Sequence, residues 1–445
     1  MLTDCVLASS LSTSGKRVLQ VDANQFYGES ESSLSPNELT EVMISGFEYT
    51  DISDIGDDPC SSDASRTVSA LSNFSIDLSV PFVFVGRSRS VNELVRHQVS
   101  KYLNFMSVKE LRVTVGAGGE TWTVPTDRSR IFSDKTLKLT EKRGLMTLFK
   151  SAAQNQTSSV HSTALVGGEA QTSSVSTTQA LPPSLSAIAY LESHNILRRE
   201  IILGIIHGVC MYPLPAESMI ANDMIAKLSH FVGSLDAYEP GCPFLIPTYG
   251  NGDIPQSFAR MAAVHGAIQI LGRSLDMIES ELSGKSHVLV SEPDRETPTR
   301  ILHAVVASHL REQDPKNVSF EVFVDTPSEY PIFCITIPHT VGGDVRPGTC
   351  PPGTCLRHYV RIVSDVSADK VTLTKMISQI PKDELLFSKL FTESSYTRVT
   401  NYFFGMESHI DRATRIFNKL MNRDAAEPLP VPPTPTNPFE EDTVE

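Results

Sequence analysis

The sequence predicts an α/β fold built on a Rossmann-type βαβ sheet, with an all-helical domain inserted into it. Three observations predict this. Residues 2–14 carry Leu2, Cys5, Val6 and Leu11 at helical spacing, and the apolar strand pattern KRVLQVD follows, ending at Asp22. After residue 244 strand patterns resume in HVLVSE, RILHAVVASHL, VSFEVFV and PIFCITIPH. Between these two parts, residues 131–233 read as helices around a tract rich in Ser, Thr, Gln and Ala.

Taken in order, the first helix is closed by Gly15, a residue suited to the C′ position. A helix followed by an apolar strand ending in an acid is the second half of a βαβ unit. No first strand and no G-x-G-x-x-G turn precedes it, so the opening strand and its glycine turn are expected to be missing, as from an incomplete gene model or a truncated N-terminus. Residues 48–72 are acidic and Ser-rich and read as a loop insertion. FSIDL reads as a strand and VNELVRHQVSKYLNF as helical, and LRVTVGAGGETWTVP reads as a hairpin. The glycines Gly116, Gly118 and Gly119 belong to that hairpin and not to a dinucleotide turn, because a strand follows them and not a helix.

FSDKTLKLTEKRGLMTLFKSAA is helical, residues 152–187 read as disordered, and two further helical stretches run from SLSAIAYLESHNILRREIILGIIHGVCMY to ESMIANDMIAKLSHFVGSL. SHIDRATRIFNKLMN is an amphipathic closing helix, and residues 422–445 read as a disordered Pro-rich acidic tail carrying Asn437-Pro438-Phe439. The expected domains are therefore a discontinuous α/β domain of residues 1–130 and 234–421 and an inserted helical domain of residues 131–233.

Composition narrows the function. The 445 residues are 40% hydrophobic, enough for a sizeable core, and the net charge of −14 argues against a nucleic-acid partner. No apolar run approaches the ~20 residues needed to cross a bilayer, and MLTDCVLASS lacks the basic start of a signal peptide. Seven scattered cysteines fit reduced thiols in the cytosol. Cys350, Cys355 and His358 cluster in HTVGGDVRPGTCPPGTCLRH, yet no second Cys/His pair at zinc spacing joins them, and a Pro/Gly-rich loop is the better reading than a metal site. No catalytic motif is present: there is no G-x-S-x-G, H-E-x-x-H or G-x-x-x-x-G-K-[ST].

TYGNGDIPQSFARMAAVHGA (Thr248 to Ala267) places Gly250 and Gly252 in a loop entering a helix. The loop lacks the lysine of a nucleotide-binding loop, and Asp253 would repel a phosphate. The glycines are expected to shape a turn that sets Asp253, before the helix, and Arg260, on it, on one protein-binding face, with Tyr249 and Gln256 bracing the loop. The residues alone read as a flavoprotein-like α/β fold without a nucleotide fingerprint.

Three blocks are similar to those of the Rab GDP-dissociation inhibitor and Rab escort protein superfamily: LTDCVLASSLSTSGKRVLQVDANQFYG, the pair FSIDL and VRHQVSKYLNF, and the diagnostic FLIPTYGNGDIPQSFARMAAVHGA. The resemblance covers most of the chain and is weakest in 48–72, 152–187 and roughly 280–395. It implies a flavin-oxidase-like fold that binds no flavin or other cofactor, has no catalytic activity, and holds GDP-bound Rab GTPases and their geranylgeranyl tails in the cytosol with transient membrane contact. It implies a Rab-binding platform of Tyr249, Gly250, Gly252, Asp253, Gln256, Arg260, Ile268 and Ile270, where Asp253 stands in place of the family's Glu. It assigns the Rab C-terminal segment to Val99, Tyr102 and Leu103, for which a plain core role is the alternative. VPTDRSRIFSDKTLKLTEKRGLM resembles the escort branch, which implies that Phe132 and Arg143 dock the α subunit of Rab geranylgeranyltransferase. The run Ile201, Ile202, Gly204 and Ile205 is expected to line the lipid groove, or else to form a simple buried helix. An escort protein, a GDP-dissociation inhibitor and a flavin oxidoreductase stand in that order.

Overall fold

The computed structural model describes residues 2–36, 38–41, 47–51, 73–116, 119, 121–163, 182–274, 278, 299–339, 348–381, 384–395 and 403–433. Helix α1 (Leu2–Thr13) leads into strand β1 (Leu19–Asp22), and Gly15 closes the helix at φ +75°, a left-handed position that glycine takes without steric cost. Strands β2 (Ser33–Leu34), β3 (Phe47–Asp51), β4 (Ile76–Asp77) and β5 (Phe84–Val85) precede helix α2 (Arg89–Arg96). Strands β6 (Phe105–Ser107), β7 (Glu110–Val115) and β8 (Thr121–Thr123) follow, and β7 and β8 form the expected antiparallel hairpin.

The helical part comprises α3 (Arg128–Ser133), α4 (Leu139–Thr163), α5 (Ala187–Ser193), α6 (Arg199–Leu203) and α7 (Ala221–Ser234), and α6 continues as a π-helical turn over Gly204–Val209. The chain then adds β9 (Phe244–Pro247), α8 (Asp253–Val264), β10 (Ile268–Leu271), β11 (Thr299–His309), β12 (Ser319–Val324), β13 (Ile332–Pro338), β14 (Thr354–Ile362), α9 (Val366–Ile377), β15 (Leu385–Ser395) and α10 (Glu407–Met421).

The main sheet has the order β3-β15-β11-β14-β13-β12-β7-β8 and is antiparallel except where β7 runs parallel to β12. A second, two-stranded parallel ribbon joins β1 to β10, with Leu19 opposite Ile268. This ribbon is the βαβ-like part, and α1, α8 and α10 pack beside it. α1 buries nine of its residues, among them Ala8, Ser9, Ser10 and Ser12, whose small side chains let it approach its neighbours closely. Ala8 meets Ala262 and Ala267 in a small cluster of their own.

The helices of residues 131–233 share one continuous apolar core with the sheet: Leu148, Leu191, Ile205 and Phe231 belong to the same cluster as Val113, Trp122 and Phe320. Two glycines permit the close approach. A Cβ on Gly144 would come within 2.3 Å of the His194 carbonyl oxygen, and one on Gly204 within 2.5 Å of the Trp122 ring.

Several expectations need correction. The tract expected to be disordered from residue 152 begins inside α4, which runs to Thr163, and Ala187 opens α5; residues 164–181 lie outside the described residues. Residues 48–51 of the acidic segment belong to β3, paired with β15. The stretch from Val91 to Phe105 breaks after Arg96 into a turn, a 3₁₀ turn at Ser100–Tyr102 and then β6. The tail is ordered to Pro433, with Leu429 buried among core residues; residues 434–445, including Asn437-Pro438-Phe439, and the strand expected at HVLVSE lie outside the described residues.

Candidate functional site

The loop entering α8 is built from groups far apart in sequence. Gly250 sits at φ +94°, and a Cβ there would come within 2.6 Å of both Asp77 Oδ1 and Ser33 Oγ. Asp77 Oδ1 accepts from the Asn251 amide (2.7 Å) and from the Ser33 hydroxyl (2.5 Å), and Ser33 Oγ in turn accepts from the Gly252 amide (2.8 Å). Asn251 Oδ1 accepts from the Phe82 amide and its Nδ2 donates to the Val80 carbonyl. The Asn251 and Gly252 amides are therefore spent on internal acceptors and do not point at a phosphate. Burial pushes the Asp77 carboxyl up to about 6, opposed by the Ser33 and Asn251 hydrogen bonds. Pro255 lies against Gly28, where a Cβ would meet Pro255 Cγ at 2.6 Å.

Asp253 is the first residue of α8, not a residue before it, and Gly252 is the N-cap. Its partly buried side chain stands in the first turn of the helix, and burial raises its pKa. Gln256 and Arg260 are exposed on the same face, three and seven residues on, so the spacing of about 3.6 residues per turn stacks all three. Gln256 therefore faces outward and does not brace the loop. Tyr249 does brace it: the ring lies on the backbone of Gly348, whose amide donates to the Thr248 carbonyl (2.8 Å), and half the residue remains exposed. Ile268 is 63% exposed at the start of β10 and Ile270 is partly buried.

The same surface holds two apolar residues that the sequence reading missed. Val264 continues the α8 face one turn beyond Arg260 and is 66% exposed, and Leu19 stands opposite Ile268 in the parallel ribbon, also exposed. Helical spacing from Arg260 was a signal for Val264. Ser33 and Asp77, which hold the loop, carried no local signal.

Tyr102 joins this face, because the Arg260 guanidinium lies over its ring, with Lys101 Nζ 5.1 Å from the ring centre. Val99 and Leu103 do not join it. They are buried in the core with Leu94 and Phe258, so the core role stands for them.

Phe132 and Arg143 stand on the helical layer. Phe132 is 64% exposed near the end of α3, and its carbonyl accepts from Lys142 Nζ (2.7 Å), which fixes α3 beside the turn carrying Arg143. Leu139 and Leu197 are exposed on this layer, and Arg198 donates to the Thr136 carbonyl. The lipid candidates are placed differently from the groove expected for them. Ile201, Ile202, Gly204 and Ile205 are all buried, and the open side of Gly204 is filled by Trp122. In this conformation they form the buried helix that was the alternative.

At the start of α1, Glu31 Oε2 accepts from the Leu2 amide, and Glu31 is backed by Ser30 and by His409 at 3.5 Å. The helix terminus, where a dinucleotide fold seats a pyrophosphate, thus faces an internal carboxylate. The groups of the cysteine segment have internal partners. Cys350 Sγ donates to the Ile337 carbonyl, burial pushes its thiol up to about 12, and His358 turns to His303, with 2.9 Å between Nδ1 and Nε2.

The model of the family described as GDP dissociation inhibitor matches residues 1–305. This chain belongs to the GDP dissociation inhibitor family. Members of the family similar to it include the Rab proteins geranylgeranyltransferase component A of Drosophila melanogaster, 25% identical over 97% of this chain and 89% of the fly protein. Rab escort protein 1 of Arabidopsis thaliana is 27% identical over 61% of this chain, and the Rab GDP dissociation inhibitor beta of Canis lupus familiaris 24% identical over 62%. The chain spans only 52% and 55% of those two relatives. The fold is that of the Rab GDI from Plasmodium falciparum, with a TM-score of 0.63 and 16% identity over 95% of this chain and 96% of that one. As in the α/β fold expected from the sequence, the family's sheet-plus-helices arrangement is present here. No helix among the described residues is long and apolar enough to cross a membrane.

Proposed function

We propose that this chain is a Rab escort protein: a non-catalytic accessory that binds GDP-bound Rab GTPases, presents them to Rab geranylgeranyltransferase and carries the prenylated product to a membrane. The observation that carries this reading is the exposed Phe132, whose carbonyl is held by Lys142, next in the chain to the exposed Arg143, on a chain that aligns over nearly its whole length with a relative named as component A of that transferase. Aromatic residues and arginines exposed on one surface are common centres of binding energy in protein interfaces. The rest follows from it. Tyr249, Asp253, Gln256 and Arg260, with Ile268 and Ile270, form the Rab platform, whose shape Gly250 and Gly252 set. Tyr102 receives the Rab C-terminal segment, and the transferase α subunit docks on Phe132 and Arg143. A geranylgeranyl chain enters the helical layer only when Ile201, Ile202, Gly204 and Ile205 separate from Trp122. The protein works in the cytosol, with transient membrane contact.

The deciding experiment is reconstituted prenylation. Purified chain, GDP-bound Rab, the transferase and geranylgeranyl diphosphate are combined, and lipid transfer to Rab is read by mass spectrometry. Lipid transfer that depends on the chain is the expected result. Unmodified Rab in a reaction where a known escort protein succeeds overturns the reading. A GDP-dissociation inhibitor is the second reading, because relatives of that name match the chain as well. It predicts extraction of prenylated Rab from vesicles with no support of the transferase. A flavin oxidoreductase would purify with flavin absorbance; the carboxylate of Glu31 at the start of α1 speaks against it.

A further inference from the structure

The end of the described chain runs as a proline-rich strap over the turn that follows α2. Arg96 Nη2 donates to the Leu429 carbonyl (2.9 Å), and Gln98 Nε2 donates to the carbonyls of Pro432 (3.2 Å) and Pro433 (3.0 Å). Leu429 is 3% exposed and shares an apolar cluster with Leu94, Val99 and Leu103. Asn418 Nδ2 fixes the start of the strap through the Glu427 carbonyl (2.7 Å). All of these side-chain donors read main-chain carbonyls, so the seat accepts an extended backbone of many sequences, and one apolar side chain supplies the anchor.

Gln98 reaches the strap from an uncommon backbone position. It lies at φ +56°, the left-handed C′ position where glycine is favoured, and a glutamine there is a strained choice. Its amide is what reaches the strap. Val95, 56% exposed, and Val431, 38% exposed, flank the contact, and Lys101 and Tyr102 continue the surface towards Arg260.

We propose that residues 428–433 are a displaceable internal occupant of this seat, and that the extended C-terminal segment of a bound Rab competes with them for Arg96, Gln98 and the Leu429 pocket. The proposal rests on the Rab-binding reading above. It makes the strap a placeholder that keeps the apolar seat covered until a partner arrives, and that weakens binding of partners whose tails cannot displace it.

The test uses the full chain with Cys60→Ser and Val431→Cys, labelled at position 431 with an environment-sensitive dye. The six cysteines among the described residues are buried, which leaves the new thiol as the reactive one. GDP-bound Rab is added either whole or cut before its C-terminal segment. Whole Rab is expected to change the dye signal and cut Rab to leave it unchanged. Leu429→Ser, and separately Pro430→Gly with Pro433→Gly, which loosen the strap by raising its disorder, are expected to tighten whole Rab by about three- to tenfold and cut Rab not at all. The two proline substitutions lie outside the core, so folding is preserved even where Leu429→Ser lowers the melting temperature. Whole Rab that binds with an unmoved dye signal, and with an affinity indifferent to all these changes, overturns the strap proposal alone. Failure of both forms of Rab to bind overturns the platform reading and the strap proposal with it.

Discussion

The guanidinium of Arg260 lies 4.3 Å from the centre of the Tyr102 ring. This contact ties α8 to the turn after α2, and so joins the two surfaces that the family resemblance treats separately. A cation over a partly exposed aromatic ring contributes about 0.5–2 kcal/mol. Arg260→Ala and Tyr102→Leu are therefore expected to be non-additive. A double-mutant cycle on GDP-Rab binding should show a coupling of at least ~0.5 kcal/mol, and additive effects would mean that the contact does not organise the face.

Gly250→Ala tests the loop. The substitution combines a positive φ with clashes against Asp77 and Ser33, both held in hydrogen bonds. A loss of about 2 kcal/mol or more in denaturant unfolding is expected, together with weaker Rab binding. A wild-type midpoint would show that the loop can relocate at little cost.

Gly204→Ala tests the helical layer. The added methyl would meet Trp122, which is stiff and 4% exposed, so overpacking of about 1–3 kcal/mol is expected. A neutral or stabilising result would mean that α6 already stands away from the sheet in solution, as a lipid-receiving conformation requires.

Buried Asp77 and the buried pair His303 and His358 give the stability pH dependences of opposite sign. Asp77 is raised to about 6 by burial, so the folded state takes up a proton before the unfolded state does; its charge costs stability above pH 6, and the cost is relieved as pH falls towards 4. Asp77→Asn should therefore be neutral or stabilising at pH 7, by up to about 3 kcal/mol, with the difference vanishing below pH 4. His303 is lowered to about 4 by burial, and His358 is lowered by burial and by His303. The unfolded histidines take up protons first, so this pair contributes stability above pH 6.5 that is lost as pH falls to 4. Replacing both with leucine should flatten the loss of melting temperature between pH 6.5 and 4. An unchanged slope would place the acid sensitivity elsewhere.

Phe132→Ala separates docking from folding. The side chain is exposed, so the melting temperature should move by no more than a degree or two, and Rab binding should hold. Affinity for the transferase should fall by tenfold or more, a typical loss for an aromatic anchor. Unchanged transferase affinity counts against the escort reading and favours the inhibitor.

The sequence by itself determined the elements whose signal is local. The hairpin of β7 and β8, the runs of β11, β12 and β13, the helix α1 with Gly15 at its end and the α8 face from Asp253 to Arg260 could all be read from periodicity and turn residues, because each pattern repeats within a few residues. β14 could not. Its segment TCLRHYVRI interleaves Arg357, His358 and Arg361 with apolar residues and follows a Pro/Gly-rich stretch. Arg357 and His358 are buried, and Arg361 mostly covered, only because distant partners compensate them: Asp314 for Arg357 at 2.6 Å, His303 for His358, and Asp369 for Arg361 at 2.8 Å. The ordered tail was hidden for the same reason, since the donors that hold Leu429, Pro432 and Pro433 stand more than 300 residues upstream. Tertiary structure likewise decided which candidates face outward. Helical spacing places Asp253, Gln256 and Arg260 on a face, but only packing against Phe258 and Leu94 takes Val99 and Leu103 inside, and only the Trp122 ring fills the space beside Gly204. A side chain's exposure is set by what folds over it, and that information is spread along the whole chain.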